Sequence, residues 1–147
     1  MNVKIKLVRE TSVMPEYASD GAAAADLHAD IESPLTLAPG KRAVIPTGVI
    51  AEIPAGYVGI LAARSGLAVK KGICLSNGIG VIDSDYRGEI GAAVINLSDE
   101  EYTIEPGERI CQLMIMPFAK AEFISADALS DTERGEGGFG STGRGVK

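Results

Sequence analysis

Short apolar runs with period-two alternation recur along this chain, cut by turn residues every few positions. Val3, Ile5 and Leu7 alternate with lysines, Leu27, Ala29 and Ile31 alternate with polar residues, and stretches 44–53, 57–62, 90–97 and 109–116 are alike. Between them fall Pro34, Pro39-Gly40, Pro54 with Gly56, Asn77-Gly78, Pro106-Gly107 and Pro117. Alternation gives a strand one apolar face, and close punctuation leaves little room for helices. The pattern therefore predicts an all-β sandwich or barrel, not alternating β and α units. One segment departs from it. Arg64-Ser-Gly-Leu-Ala-Val-Lys-Lys-Gly72 carries a serine suited to capping, two late lysines and a terminating glycine, which predicts one short helix capped by Ser65.

The chain has 147 residues, enough for one domain with its own core. No stretch approaches the roughly 18 consecutive apolar residues of a membrane helix, and the N-terminus alternates like a first strand instead of forming a basic start and an apolar block. A cytoplasmic protein with no membrane partner is expected. A net charge of −6 argues against a nucleic-acid surface, which needs many cations on phosphate. Cys74 and Cys111 lie in apolar strand contexts without Cys-x-x-Cys spacing and are expected as buried free thiols. His28, the one histidine, is expected on a solvated strand face, so chemistry must rest on carboxylates, arginines, hydroxyls or a borrowed metal.

The densest chemistry is Gly80-Val-Ile-Asp-Ser-Asp-Tyr-Arg-Gly88, where a strand-like run stops on Asp83 inside a turn. This reads as a hairpin mouth with a partly desolvated carboxylate near backbone donors, a setting that suits a general base or, more plainly, a turn cap. Arg64, Ser65 and Gly66 at the helix start make a candidate anion site, or an ordinary cap beside a surface arginine. The end of the chain, residues 125–147, loses apolar periodicity and becomes glycine-rich. It reads as a mobile tail after a β domain of residues 1–124, with Phe139, Arg134, Ser141 and Thr142 supplying the parts of a lid.

Taken in order, Ala24-Ala-Asp-Leu27, Arg64-Ser-Gly-Leu-Ala68, Gly80 to Gly88, Gly107-Glu-Arg-Ile-Cys-Gln-Leu113 and Arg134-Gly-Glu-Gly-Gly-Phe-Gly-Ser-Thr-Gly143 resemble the five motifs of trimeric dUTP diphosphatases. The resemblance spans nearly the whole chain. It implies a jelly-roll-type β-barrel forming a homotrimer, with sites built from three subunits and closed by a C-terminal tail. The implied reaction is hydrolysis of dUTP to dUMP and pyrophosphate with Mg²⁺, which limits uracil entry into DNA and supplies dUMP.

On that resemblance Asp83 activates the attacking water, Tyr86 packs under the deoxyribose, Asn77 and nearby main chain read uracil, and Val81 and Ile82 shape the sugar pocket. Arg64, Ser65, Gly66 and Gln112 would meet the phosphates, and Arg109 would orient the catalytic loop. Arg134, Ser141 and Thr142 would grasp the terminal phosphate, Phe139 would cover uracil, and Asp26 would touch Mg²⁺ through water. The first motif usually has a glycine and often an aromatic before Asp-Leu, whereas Ala24 and Ala25 stand here. A dCTP deaminase-related enzyme and a nucleotide-responsive binding or signalling protein are the alternative readings.

Overall fold

The computed structural model describes residues 1–138. Its largest sheet has five strands: β2 (Glu16–Tyr17), β3 (Ala25–His28), β12 (Arg109–Pro117), β7 (Tyr57–Ala63) and β9 (Gly80–Ile82), in that order and all antiparallel. A three-stranded sheet places β10 (Gly91–Asn96) between β5 (Arg42–Pro46) and β8 (Ile73–Leu75). Two pairs complete the set: β1 (Lys4–Leu7) with β6 (Val49–Glu52), and β4 (Leu35–Leu37) with β11 (Tyr102–Ile104). The single helix of the described residues is α1 (Ser65–Lys71). The expected mostly-β, jelly-roll-type architecture is present, as four sheets around one core.

Leu27, Ile45, Val49, Ile73, Ile90, Val94 and Ile104 are almost fully buried in that core. Each such aliphatic side chain contributes about 1.5–3 kcal/mol relative to exposure. Strand β10 shows the alternation plainly: Ala92, Val94 and Asn96 point inward. Asn96 is buried and polar, yet fully used. Its amide donates to the carbonyls of Leu37 and Glu100, and its oxygen accepts from Ser98.

The run expected at 44–53 is two strands, because the chain turns at Gly48 with φ 70°. A side chain there would collide with Asp30 and Ser12 at 2.2 Å, so glycine is required on both counts. Strands β2, β4, β8 and β11, of two or three residues each, are too short to announce themselves by periodicity.

Three local expectations are corrected. Arg64, not Ser65, occupies the N-cap, with extended φ/ψ and no side-chain cap bond, and Ser65 is the first helical residue. The last turn behaves as expected: Gly72 is left-handed (φ 69°) and donates to the Ala68 carbonyl. His28 alternates with buried Leu27 and Ala29, as expected, and shares the sheet face of Asp26 and Arg109, but it is half-buried there with a Nδ1 that lacks a hydrogen-bond partner among the described residues, and burial is the main reason its pKa is lowered. Cys111 is buried, which pushes its thiol up to about 12, but Cys74 is only half-buried.

A polar knot joins four distant segments. Arg9 donates to Asp30 (2.7 Å) and, through both terminal nitrogens, to Glu89 (3.0 and 3.1 Å). Thr11 and Ser12 complete Asp30, and the Gly48 N–H donates to Glu89 at 2.8 Å. Burial by itself would raise the Asp30 pKa, but the bonds from Ser12, Thr11 and Arg9 outweigh it and hold it low. The Arg9 bond, against a smaller effect of burial, holds Glu89 low. Depressed folded values mean stability that is present above the ordinary carboxylate range and lost as pH falls through the folded values. The melting temperature should therefore drop as pH is taken from about 5 to about 3, with a shallower slope in Arg9→Ala. Equal slopes would remove the knot from acid stability.

Candidate active site

The polar face of the five-stranded sheet carries the first half of the site. Register places Gln112 opposite both Asp26 and Ala62, and Val81 opposite Ile60, so Asp26, Gln112 and Val81 share one face. Leu27, Leu61 and Leu113 fill the other face, in the core. A bulge between Arg109 and Cys111 shifts the pairing with β3, which lets Ile110 and Cys111 both be buried and leaves Arg109 at the strand start on the polar side.

Asp26 is the hub of this half. Its side chain is 7% exposed, and its two oxygens accept from Arg64 Nε at 3.0 Å and Arg109 Nη1 at 3.1 Å. Arg64 also donates to the Arg109 carbonyl at 3.2 Å. Arg64 is thus not a free surface arginine. One carboxylate holds two guanidiniums together, leaving part of the Arg109 guanidinium in solvent at 51% exposure. Beside them, the first intrahelical bond of α1 runs from the Ala68 N–H to the Arg64 carbonyl, so the N–H groups of Ser65 and Gly66 have no intrahelical acceptor. Gly66 opens onto empty space. Cations and unpaired N–H donors on one ledge can receive a polyanion.

The turn that begins Arg109 is braced. The Tyr102 hydroxyl donates to Glu108, whose other oxygen accepts the Glu105 N–H at 3.0 Å. Burial and that carboxylate push the Tyr102 phenol up to about 12.

The second half follows β9. Strand β9 pairs with β7, whereas β10 belongs to another sheet, so residues 83–89 form a turn between sheets and not the mouth of a hairpin. Asp83 is exposed, and among the described residues its carboxylate accepts no hydrogen bond, which corrects the expectation of a partly desolvated group. Its main-chain carbonyl accepts the Tyr86 N–H at 3.1 Å. Arg87 closes the turn by donating to the carbonyls of Ser84 and Tyr86. Val81 is exposed, while Ile82 packs on the core opposite Gly59. Asn77 is exposed in the turn Leu75 to Gly78, closed by a 3.1 Å bond from the Gly78 N–H to the Leu75 carbonyl.

Asp26, Arg64, Ser65, Gly66, Arg109 and Gln112 are therefore gathered at the Ala63 end of β7, whereas Asp83 and Tyr86 share a turn that leaves β9 beyond Ile82, opposite Gly59 and toward the other end of that strand. Among the described residues no hydrogen bond links Arg109 to that turn. Arg134 is exposed and donates to the Gly137 carbonyl in its own turn. Phe139, Ser141 and Thr142 lie outside the described residues. The sequence reading missed Arg9, Asp30 and Glu89. Arg9 and Glu89 are 80 positions apart, and no spacing rule pairs them.

For a metal, the described residues contain no group of three His, Cys, Asp or Glu side chains suited to hold one. Each oxygen of Asp26 already accepts from an arginine. The donor set does not fit an Mg²⁺ ion held by the protein itself. No helix among the described residues is long and apolar enough to cross a membrane.

Known proteins resemble this chain in sequence and in fold. The family model described as dUTPase matches residues 10–143. The deoxyuridine 5′-triphosphate nucleotidohydrolase of Finegoldia magna is 46% identical over 142 residues, covering 96% of this chain and 99% of that protein. That of Chlamydia pneumoniae is 53% identical over 131 residues, covering 88% and 90%. Among solved structures, a variant of the Staphylococcus bacteriophage 80alpha dUTPase with dUpNHpp superposes with a TM-score of 0.89 at 32% identity, covering 97% of this chain and 99% of that one. A family match over most of the chain, the identity to these relatives and the shared fold have one common explanation: the chain belongs to the dUTPase family.

Proposed function

We propose that the chain hydrolyses dUTP to dUMP and pyrophosphate by attack of water at the α-phosphorus. The observation that carries this reading is a dUTPase family match that spans both halves of the site, residues 10–143. Asp83 acts as the base. An exposed carboxylate with no hydrogen bond among the described residues is free to turn to a water once substrate covers the turn. Arg64, the Ser65 hydroxyl, the free N–H groups of Ser65 and Gly66, and Gln112 take the phosphates. Asp26 first of all fixes Arg64 and Arg109, and Arg109 sets the edge of the ledge. Tyr86 lies under the deoxyribose, leaving no space for a 2′-hydroxyl. Val81 and Ile82 offer main-chain contacts, since the Ile82 side chain is committed to the core. Asn77 reads the polar edge of uracil, where a mismatched base leaves polar groups unpaired.

Arg134, Phe139, Ser141 and Thr142 form a tail, residues 125–147, that closes over a site. A homotrimer completes it. In support, Phe118, Phe123, Ile124 and Leu129 follow the last strand with large exposed apolar surface, which neighbouring copies would cover. Mg²⁺ would be held chiefly by the triphosphate and its own waters, and Asp26, each of whose oxygens accepts one arginine bond and keeps a second acceptor site, would meet one of those waters. When bound, the ion neutralises phosphate charge. A cytoplasmic location suits the two free thiols, and neither nucleic acid nor membrane is a partner.

A panel of dUTP, dTTP, dCTP and UTP with Mg²⁺, assayed for pyrophosphate, tests the reading. Turnover of dUTP at least about a hundredfold above the others is expected. Ammonia released from dCTP would instead mark a deaminase, and tight dUTP binding without pyrophosphate a signalling protein.

A further inference from the structure

Tyr86 does not stand free on its turn. Its hydroxyl donates to the Glu89 carbonyl at 3.1 Å, which folds the ring back across residue 88. A Cβ at Gly88 would lie 2.2 Å from the Tyr86 oxygen, 2.5 Å from Cζ and 2.9 Å from Cε2. Such contacts are closer than any side chain tolerates, so the ring occupies the space that every residue but glycine would fill. Gly88 has no left-handed φ that would call for glycine on its own, and the reason for glycine here is the ring. The residue supplying the hydroxyl's acceptor is itself immobilised: the Glu89 side chain is held by Arg9 and by the Gly48 N–H. The ring remains 44% exposed, so it keeps a free surface toward solvent.

We infer that Gly88 and Glu89 are specificity-positioning residues: together they seat the Tyr86 ring at the height that admits a deoxyribose and rejects a ribose. This rests on the reading of Tyr86 as the surface beneath the sugar. Discrimination by a ring depends on where the ring is held, because a shift of about 1 Å is enough to admit or refuse one hydroxyl. Gly88→Ala lifts the ring from its seat without altering any group proposed to touch substrate.

The experiment measures kcat/KM for dUTP and UTP, together with the melting temperature, in Gly88→Ala, Tyr86→Phe and Tyr86→Ala. Gly88→Ala is expected to lower the dUTP/UTP ratio by about tenfold, mainly through KM, in a protein that still folds. Tyr86→Phe, which only cuts the tie to Glu89, is expected to lower it about threefold. If Tyr86→Ala leaves the ratio unchanged, Tyr86 does not read the sugar and the underlying reading fails. If Tyr86→Ala lowers the ratio but a folded Gly88→Ala does not, the seat is overturned. Should Gly88→Ala not fold, an unchanged ratio in Tyr86→Phe overturns the seat equally.

Discussion

Asp83→Asn is expected to lose turnover by about a hundredfold or more while binding dUTP almost as well as the parent chain. The two carboxylate oxygens accept no hydrogen bond among the described residues, and the side chain is exposed, so the amide disturbs no packing and no ion pair. The melting temperature should stay within a degree or two, as for other exposed substitutions of about 0.5 kcal/mol or less. What changes is basicity. An amide oxygen still accepts a hydrogen bond from water but takes no proton, so kcat falls and KM does not rise. Single-turnover hydrolysis and titration of dUTP binding separate the two quantities. Turnover near the parent value would strip Asp83 of its role, and a matching loss of binding would recast it as a contact for substrate.

Asp26→Asn is expected to weaken both the fold and the phosphate ledge. Asp26 is 7% exposed between two guanidiniums. An amide can accept from one arginine only, and its NH₂ group then faces the other cation. Removing one member of a buried ion pair costs roughly 3–5 kcal/mol. Here Arg109 keeps much of its hydration, so a loss of about 2 kcal/mol is expected, read from urea unfolding. Activity should fall by at least about tenfold, chiefly in KM for dUTP, because Arg64 and Arg109 separate. A variant that unfolds like the parent would show that solvent, not Asp26, neutralises the arginines. One that is destabilised yet binds dUTP normally would show that the ledge does not need both cations held together.

Glu108 and Asp83 mark the limits of reading chemistry from local sequence. Pro106-Gly107 announces a turn, and a turn is there, yet what rigidifies it is the bond from Tyr102 to Glu108, which local propensity does not encode. Asp83 sits at the end of a strand, as its Val-Ile lead-in requires, yet the next strand joins a different sheet. The partner of a strand is settled by where its apolar face finds a core, and short-range pattern carries no information about that.

Period-two alternation determined by itself that this chain is mostly β with one brief helix, and the ordered motifs determined its family and the residue types available for chemistry. Both follow from local steric preference and from which side chains seek water. Tertiary structure alone decided that Arg64 and Arg109 meet across Asp26, that Arg9 reaches Glu89, and that Gly88 is small because a tyrosine ring lies on it. Those contacts join positions separated by up to 83 residues. Their existence depends on sheet order and on a bulge at the start of the last strand, which are properties of the packed whole.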